Sequence, residues 1–275
     1  MKLKKLFFNI LIVIACLAFY KGIGILINNC LPLNGISEIK KDFIKELLGV
    51  VAAIIGLSVL KKKHVLGFKL EGFKEGLKTG AVMIVLSGLL LLTFIFKHDP
   101  ITASVLDIIL FTVFTIMIGI FEEVLFRGIF QNAFHEFFGE DSKKNVIKAV
   151  VVSSTIFGLC HFFNLLSGGN ILSVTIQALS AIAAGIIFGA LYCNSGKNIW
   201  PCVFIHGFGD GCSFLHSGIL SGKTVMDAIN EYSIINVISI VLYLSIAIYL
   251  LVNMSMSVST NHYQSRITKN SIIRW

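Results

Sequence analysis

Long apolar stretches, separated by short polar connections, run through the whole chain. A transmembrane helix needs about 20 mainly apolar residues, and eight stretches approach or exceed that length. None of them alternates between polar and apolar residues, as the strands of a membrane barrel would. The pattern therefore predicts an all-α polytopic membrane protein with about eight transmembrane helices. The predicted spans cover residues 7–28, 44–60, 79–96, 108–134, 147–166, 171–193, 199–217 and 233–252.

The composition supports this fold class. Apolar residues make up 56% of the 275 residues and charged residues 14%, which is about half the charged share of an ordinary soluble domain. A soluble chain of this size could not bury so much apolar side chain and still cover its surface with polar groups. A disordered chain is excluded because disordered sequences contain few apolar residues. We expect residues 1–275 to form a single integral membrane domain.

The formal net charge of +8 comes from lysines and arginines that fall mainly on one set of connections. They concentrate at residues 2–5, 61–78, 143–148 and 266–274. By the positive-inside rule, this places both termini in the cytoplasm, and we expect a bacterial cell membrane. Membrane lipid is an expected partner and nucleic acid is not, because no exposed basic domain exists. Met1–Lys5 and the apolar run that follows also resemble a signal peptide, and Val13–Cys16 resembles a lipoprotein cleavage box. The apolar run continues past Cys16, which favours an uncleaved first helix.

Two adjacent carboxylates, Glu122 and Glu123, interrupt the fourth apolar stretch. Ionisable groups inside a span are costly and usually functional. Glu123 and Arg127 are four residues apart with the acid first, the better orientation for an ion pair on a helix. Glu122 is then left without a local partner and is a candidate base for activating water. Alternatively, these charges lie in water at the cytoplasmic end of the helix.

Two histidines lie in later spans. His161 shares a predicted helix face with Phe157, and taken alone it is equally consistent with a hydrogen-bonded packing residue. His206 and Asp210 are again four residues apart, so they form either a self-satisfied polar contact or a histidine oriented by a carboxylate. The spacing leaves both interpretations open.

Taken together, these residues predict one polar site built from three spans. Glu122, His161 and His206 are a sufficient ligand set for zinc, with a fourth position left for water. Alternatively, Glu122 activates water directly, while the two histidines and Asp210 stabilise the oxyanion. Both hypotheses use the same residues.

The ordered motifs resemble the CAAX-processing and bacteriocin-processing (CPBP) intramembrane proteases, also called type II CAAX endopeptidases or abortive-infection proteins. The family pattern reads E-E-x-x-x-R, then F-x-x-x-H, then H-x-x-x-N or D. It is matched here by Glu122–Arg127, Phe157–His161 and His206–Asp210. Gly185, Gly189 and Tyr192 match the small-residue helix of the family. The resemblance covers residues 105–215.

The resemblance implies eight helices around an intramembrane catalytic cavity and hydrolysis of a peptide bond. Expected substrates are a prenylated CAAX-like tail, a bacteriocin leader or a peptide pheromone tethered to the membrane. The implied catalytic residues are Glu122, Glu123, His161, His206 and Asp210, with Arg127 as a structural ion-pair partner. The family is classed as metal-dependent, so a zinc ion held by Glu122, His161 and His206 is expected in one version of the mechanism.

Two rival functions remain open at this stage. The chain is alternatively a non-catalytic immunity or scaffold protein of the same family, which would tolerate replacement of Glu122. A secondary transporter could use Glu122 and Arg127 as a proton relay, but such transporters have inverted repeats that we do not find here. The oligomeric state is not set by the sequence.

Overall fold

The computed structural model of the protein describes residues 1–29, 36–97, 100–231 and 234–254. Within these ranges all regular secondary structure is helical, as predicted. The α-helices are α1 (Lys2–Asn29), α2 (Glu38–Val59), α3 (Leu70–Thr79), α4 (Ala81–Lys97), α5 (Val105–Glu123), α6 (Asn132–Phe138), α7 (Lys143–Cys160), α8 (Ile171–Asn194), α9 (Trp200–Ser217), α10 (Val225–Asn230) and α11 (Ile234–Asn253). Val124–Gln131 is a π-helix, and Lys63–Leu66, His161–Ser167 and Ile219–Ser221 are 3₁₀ turns.

The described helices do not confirm the predicted number of membrane spans. By length and composition, five helical segments of the described chain can cross a membrane, or six if the bent pair α3 and α4 is one span. The five segments are Lys2–Ile27, Val105–Phe138, Lys143–Ser167, Ile171–Asn194 and Asn236–Asn253. The predicted spans 44–60 and 199–217 are helical, as α2 and α9. The count of eight is not confirmed, because both helices carry ionisable residues within their apolar sequence.

The starts of several helices follow from capping side chains. Ser104 and Asp107 form a capping box at the start of α5, where the Asp107 backbone N–H donates to Ser104 Oγ at 3.2 Å. Asn170 accepts from the backbone of Leu172 at 2.9 Å and caps α8. Pro201 lies in the first turn of α9, where its missing N–H costs no hydrogen bond. These signals fix where the site-bearing helices begin.

Helices α5 and α9 approach closely at two glycines. A Cβ atom on Gly119 would lie 2.6 Å from the Val203 carbonyl oxygen, and one on Gly207 would lie 2.8 Å from the Thr115 carbonyl oxygen. Because both obstacles are backbone atoms, a larger residue would separate the two helices. This contact brings the end of α5 beside the middle of α9.

One end of the bundle carries a group of salt bridges between distant parts of the chain. Glu136 pairs with Lys5 at 2.8 Å and with Lys62 at 3.2 Å, and Lys197 pairs with Glu140. We call these five residues the terminal ion-pair cluster. The cluster joins the N-terminal helix to the connections before α3, after α6 and before α9. These are the connections that the positive-inside rule places in the cytoplasm.

Candidate active site

The candidate site lies where a long helix changes its winding. α5, the π-helix and α6 together form a 34-residue apolar segment, Val105–Phe138. Glu122 and Glu123 are the last residues of α5, directly before the π-helix. Stretches of π-helix are rare and often occur at functional sites. Here the change of winding coincides with the polar residues that the sequence singled out.

Glu123 and Arg127 form the ion pair that their spacing predicts. Both side chains are almost completely buried, at 0% and 1% exposure, and Arg127 Nη1 donates to Glu123 Oε1 at 3.1 Å. Arg127 Nη2 donates to the carbonyl oxygen of Gly185 in α8 at 2.9 Å. The guanidinium carbon lies 4.9 Å and 5.5 Å from the ring centroids of Phe157 and Phe188, distances typical of cation–π contacts. The Arg127 guanidinium group is thus fixed by a carboxylate, a backbone carbonyl group and two aromatic rings.

The imidazole ring of His206 is fixed by the same pair. Its Nδ1 lies 2.7 Å from Glu123 Oε1. A carboxylate paired with arginine accepts hydrogen bonds, so Nδ1 is the donor. The ring also stacks on Phe188, with centroids 5.0 Å apart and planes 13° apart. Because Nδ1 and one ring face are occupied, Nε2 is the ring nitrogen that can contact a substrate.

Two more carboxylates face this free nitrogen. Glu122 Oε2 lies 3.4 Å from His206 Nε2, and Asp210 Oδ2 lies 3.6 Å from it. The side chains of Glu122 and Asp210 are 25% and 32% exposed, whereas Glu123 is fully buried. The two adjacent glutamates therefore differ: Glu123 is buried and bound to Arg127 and His206, whereas Glu122 is partly exposed.

His161 takes a different position from the one its spacing suggested. The sequence placed it inside a regular helix, but α7 ends at Cys160 and His161 begins a 3₁₀ helix. Its Nδ1 lies 3.1 Å from the carbonyl oxygen of Phe157 and so donates to it. The His161 and Phe157 ring centroids are 5.0 Å apart, and Phe157 is 6.1 Å from His206. Phe157 thus contacts both histidines, while no carboxylate of the described chain lies within ion-pair distance of His161.

The described residues contain no group of three or more His, Cys, Asp or Glu side chains arranged to hold a metal ion. Glu122 and His206 are adjacent, but His161 does not join them in one ligand group. In the described chain these three side chains are therefore not gathered into the ligand group that the sequence predicted. Zinc binding by Glu122, His161 and His206 stays a prediction that rests on their side-chain types.

Two further polar residues were not singled out from the sequence. The hydroxyl group of Tyr20 in α1 donates to Glu46 in α2. The Tyr20 ring packs on Phe121, the residue before Glu122, with centroids 4.6 Å apart. Glu46 is 3% exposed. The same signal that identified Glu122, a carboxylate inside a predicted span, also applies to Glu46 in the span 44–60.

Comparison with known families agrees with the motifs. Residues 103–212 match the family described as type II CAAX prenyl endopeptidase Rce1-like. The matched segment begins beside α5 and ends within α9, so it contains every residue of the predicted catalytic set. No curated protein matches the chain.

The family and the helices together define the coarse class of the protein. The matched family consists of endopeptidases, which supports hydrolysis of peptide bonds. The apolar helices fit an integral membrane protein. Residues 103–212, about two fifths of the chain, are thus similar to the Rce1-like, type II CAAX prenyl endopeptidase family.

Proposed function

We propose that the protein is an intramembrane endopeptidase that cleaves a membrane-tethered peptide, with a prenylated CAAX-like tail as its substrate class. In this proposal Glu122 activates the attacking water. One observation carries the assignment: Glu123 is occupied by Arg127 and His206, while the adjacent Glu122 is accessible and faces His206 Nε2. An accessible carboxylate beside a fixed imidazole is a suitable arrangement for general-base catalysis.

In the first step, Glu122 removes a proton from water as the water oxygen attacks the carbonyl carbon of the scissile bond. The carbonyl oxygen becomes an oxyanion. His206 faces carboxylates with both ring nitrogens, and both nitrogens donate hydrogen bonds only in the imidazolium form. In that form Nε2–H donates to the oxyanion and stabilises the transition state.

In the second step, the tetrahedral intermediate collapses and the C–N bond breaks. Glu122 returns its proton to the leaving amine, so water is consumed and two peptide ends are formed. Glu123 and Arg127 do not touch the reacting atoms in this scheme. They hold the His206 ring and its Nδ1 hydrogen, and are positioning residues.

His161 and Asp210 complete the proposed set. The Nδ1 hydrogen of His161 is used by the Phe157 carbonyl oxygen, which leaves Nε2 as an acceptor in the neutral ring. This nitrogen can accept a hydrogen bond from the attacking water. The Asp210 carboxylate lies near Nε2 of His206, as Glu122 does. Its negative charge favours the charged form of the imidazole ring.

The test compares the protein with its Glu122→Gln variant, reconstituted in lipid nanodiscs. The substrate is a fluorogenic peptide that ends in Cys-aliphatic-aliphatic-X, with a farnesyl thioether on the cysteine. Removing a general base lowers rates by about 10²–10⁴-fold, and we expect a loss of this size with unchanged thermal stability. Glu71→Gln, which neutralises an exposed glutamate in α3, is the matched control and should retain full activity.

Other outcomes of this experiment have definite meanings. Full activity in Glu122→Gln would contradict the assignment of the base. Failure of the native protein to cleave prenylated or unprenylated peptides would favour the immunity or scaffold function. Loss of cleavage after treatment with a chelator, restored by zinc alone, would support the metal-dependent version of the mechanism.

A further inference from the structure

A lysine inside the apolar first helix lies beside the candidate active site. Lys21 belongs to the span Lys2–Ile27, where an ammonium group is costly and usually functional. Its side chain is partly exposed. Lys21 Nζ donates to Asn164 Oδ1 at 3.2 Å, so its hydrogen-bond partner is neutral.

Asn164 connects this lysine to the catalytic histidine. Asn164 and His161 are three residues apart in one 3₁₀ helix, and side chains at this spacing lie on the same face, about 6 Å apart along the axis. Asn164 Nδ2 donates to Gln177 Oε1 of α8 at 2.9 Å. That bond turns the amide so that Oδ1 faces Lys21.

The residue before Lys21 also contacts the helix that carries Glu122. The neighbouring Tyr20 packs on Phe121, which precedes Glu122. Lys21 also interacts electrostatically with Glu122. It is therefore bracketed by the two elements that carry the proposed base and His161.

Two acids of α2, the helix that packs against α1, are already engaged by other groups. Asp42 is paired with Lys45 at 3.1 Å, and Glu46 accepts the hydroxyl hydrogen of Tyr20. Lys45, Glu122 and Glu46 act on the charge of Lys21 electrostatically. In the part of the chain that the structure describes, no carboxylate lies within 4.0 Å of Lys21 Nζ. Its positive charge is thus left for a ligand.

We propose that Lys21, held by Asn164, binds the free C-terminal carboxylate of the peptide that is cleaved at Glu122. The inference rests on the proposed function and adds a specificity-determining residue outside the matched segment. Arg127 is not available for this role, because Glu123 and the Gly185 carbonyl oxygen occupy its guanidinium group.

The distances suit a short C-terminal product. A CAAX-type tail has three residues after its prenylated cysteine. Three extended residues span about 10 Å, which exceeds the rise of about 6 Å from His161 to Asn164, the residue that holds Lys21. A charge-assisted hydrogen bond from ammonium to carboxylate is strong where water is scarce.

The experiment uses two farnesylated peptides that differ only at the C-terminus, one with a free carboxylate and one with an amide. The native protein in nanodiscs should cleave the carboxylate peptide with a ~10–100-fold higher kcat/KM, the range expected for one hydrogen bond to a charged group. The preference should appear mainly in KM. In Lys21→Met the two peptides should be cleaved with equal efficiency, and Lys21→Arg should restore the preference. Lys45→Met removes a neighbouring cation and should keep it.

The outcomes separate this inference from the proposed function. Equal cleavage of the two peptides by the native protein, or a preserved preference in Lys21→Met, would overturn the role of Lys21 while Glu122-dependent cleavage still stands. The comparison in the native protein needs no variant and so does not depend on whether Lys21→Met folds. Absence of Glu122-dependent cleavage of both peptides would overturn the proposed function, and the inference with it.

Discussion

The candidate active site and the terminal ion-pair cluster use the same chemistry in different surroundings. In the site, Arg127 and Glu123 are 1% and 0% exposed. In the terminal ion-pair cluster, Lys197 and Glu140 are 35% and 44% exposed, and Lys5 and Glu136 are exposed to a similar or greater extent. The Arg127–Glu123 pair is enclosed by aromatic rings and helix backbone, whereas these two pairs lie at the surface. Lys62, the remaining member of the cluster, is 8% exposed.

The difference in burial predicts a difference in energetic weight. Exposed ion pairs typically contribute about 0–1 kcal/mol to stability, because water solvates the separated charges well. In a buried pair, removing one partner leaves an uncompensated charge and costs about 3–5 kcal/mol. Replacing the whole buried pair with apolar residues is often neutral or stabilising. The central polar residues therefore suit a functional role better than a purely stabilising one.

The largest expected effect is that of Arg127→Met. The variant leaves the Glu123 carboxylate buried without its cation, so the free energy of unfolding should fall by about 3–5 kcal/mol. Reversible denaturation in detergent micelles measures the change. Adding Glu123→Gln to the variant removes the stranded charge and should recover part of the loss. A loss below 1 kcal/mol in the single variant would mean that the site is more hydrated than its burial indicates.

A smaller effect is expected where the fold holds the site together. In Gly207→Ala, the added methyl group meets the Thr115 carbonyl oxygen at 2.8 Å, and overpacking of this kind costs about 1–3 kcal/mol. Because His206 is adjacent, activity should fall as α5 and α9 separate. Gly211→Ala is the control in the same helix, since its Cβ would lie 3.5 Å from Thr115. Equal stability of the two variants would argue against the close helix contact.

The smallest effect is expected in the terminal ion-pair cluster. Glu140→Gln removes the exposed partner of Lys197 and should lower the free energy of unfolding by less than about 1 kcal/mol. Peptidase activity should be unchanged. A loss as large as that of Arg127→Met, measured under the same conditions, would remove the distinction between the two regions.

The sequence predicts well the features that depend on residues close together in the chain. Helical class follows from the apolar pattern, and the Glu123–Arg127 pair follows from its spacing of four. The spacing of His206 and Asp210 places both on one face, and their side chains lie 3.6 Å apart. The catalytic roles of these residues stay predictions.

Contacts between helices could not be read in the same way. That Arg127 reaches the Gly185 carbonyl oxygen, or that His206 uses Nδ1 for Glu123, depends on how each helix is rotated about its axis. The end of α7 at Cys160 could not be predicted, because the sequence on both sides of it stays mainly apolar and contains no proline. The predicted number of eight spans is not confirmed, because apolar length alone does not account for the ionisable residues of α2 and α9.

The position of Glu123 and Arg127 on a single helix has a consequence for how the protein enters the bilayer during synthesis. On insertion scales, a charged residue at the centre of a transmembrane helix costs about 2.5–3.5 kcal/mol. When the segment Val105–Phe138 leaves the ribosome, α8 and α9 have not been made, so neither Gly185 nor His206 can receive these charges. A partner four residues away lies in the same segment, so the charges of Glu123 and Arg127 offset each other. The pair can therefore cross into lipid as a neutral unit, and the partners from later helices replace lipid contacts only after translation has continued.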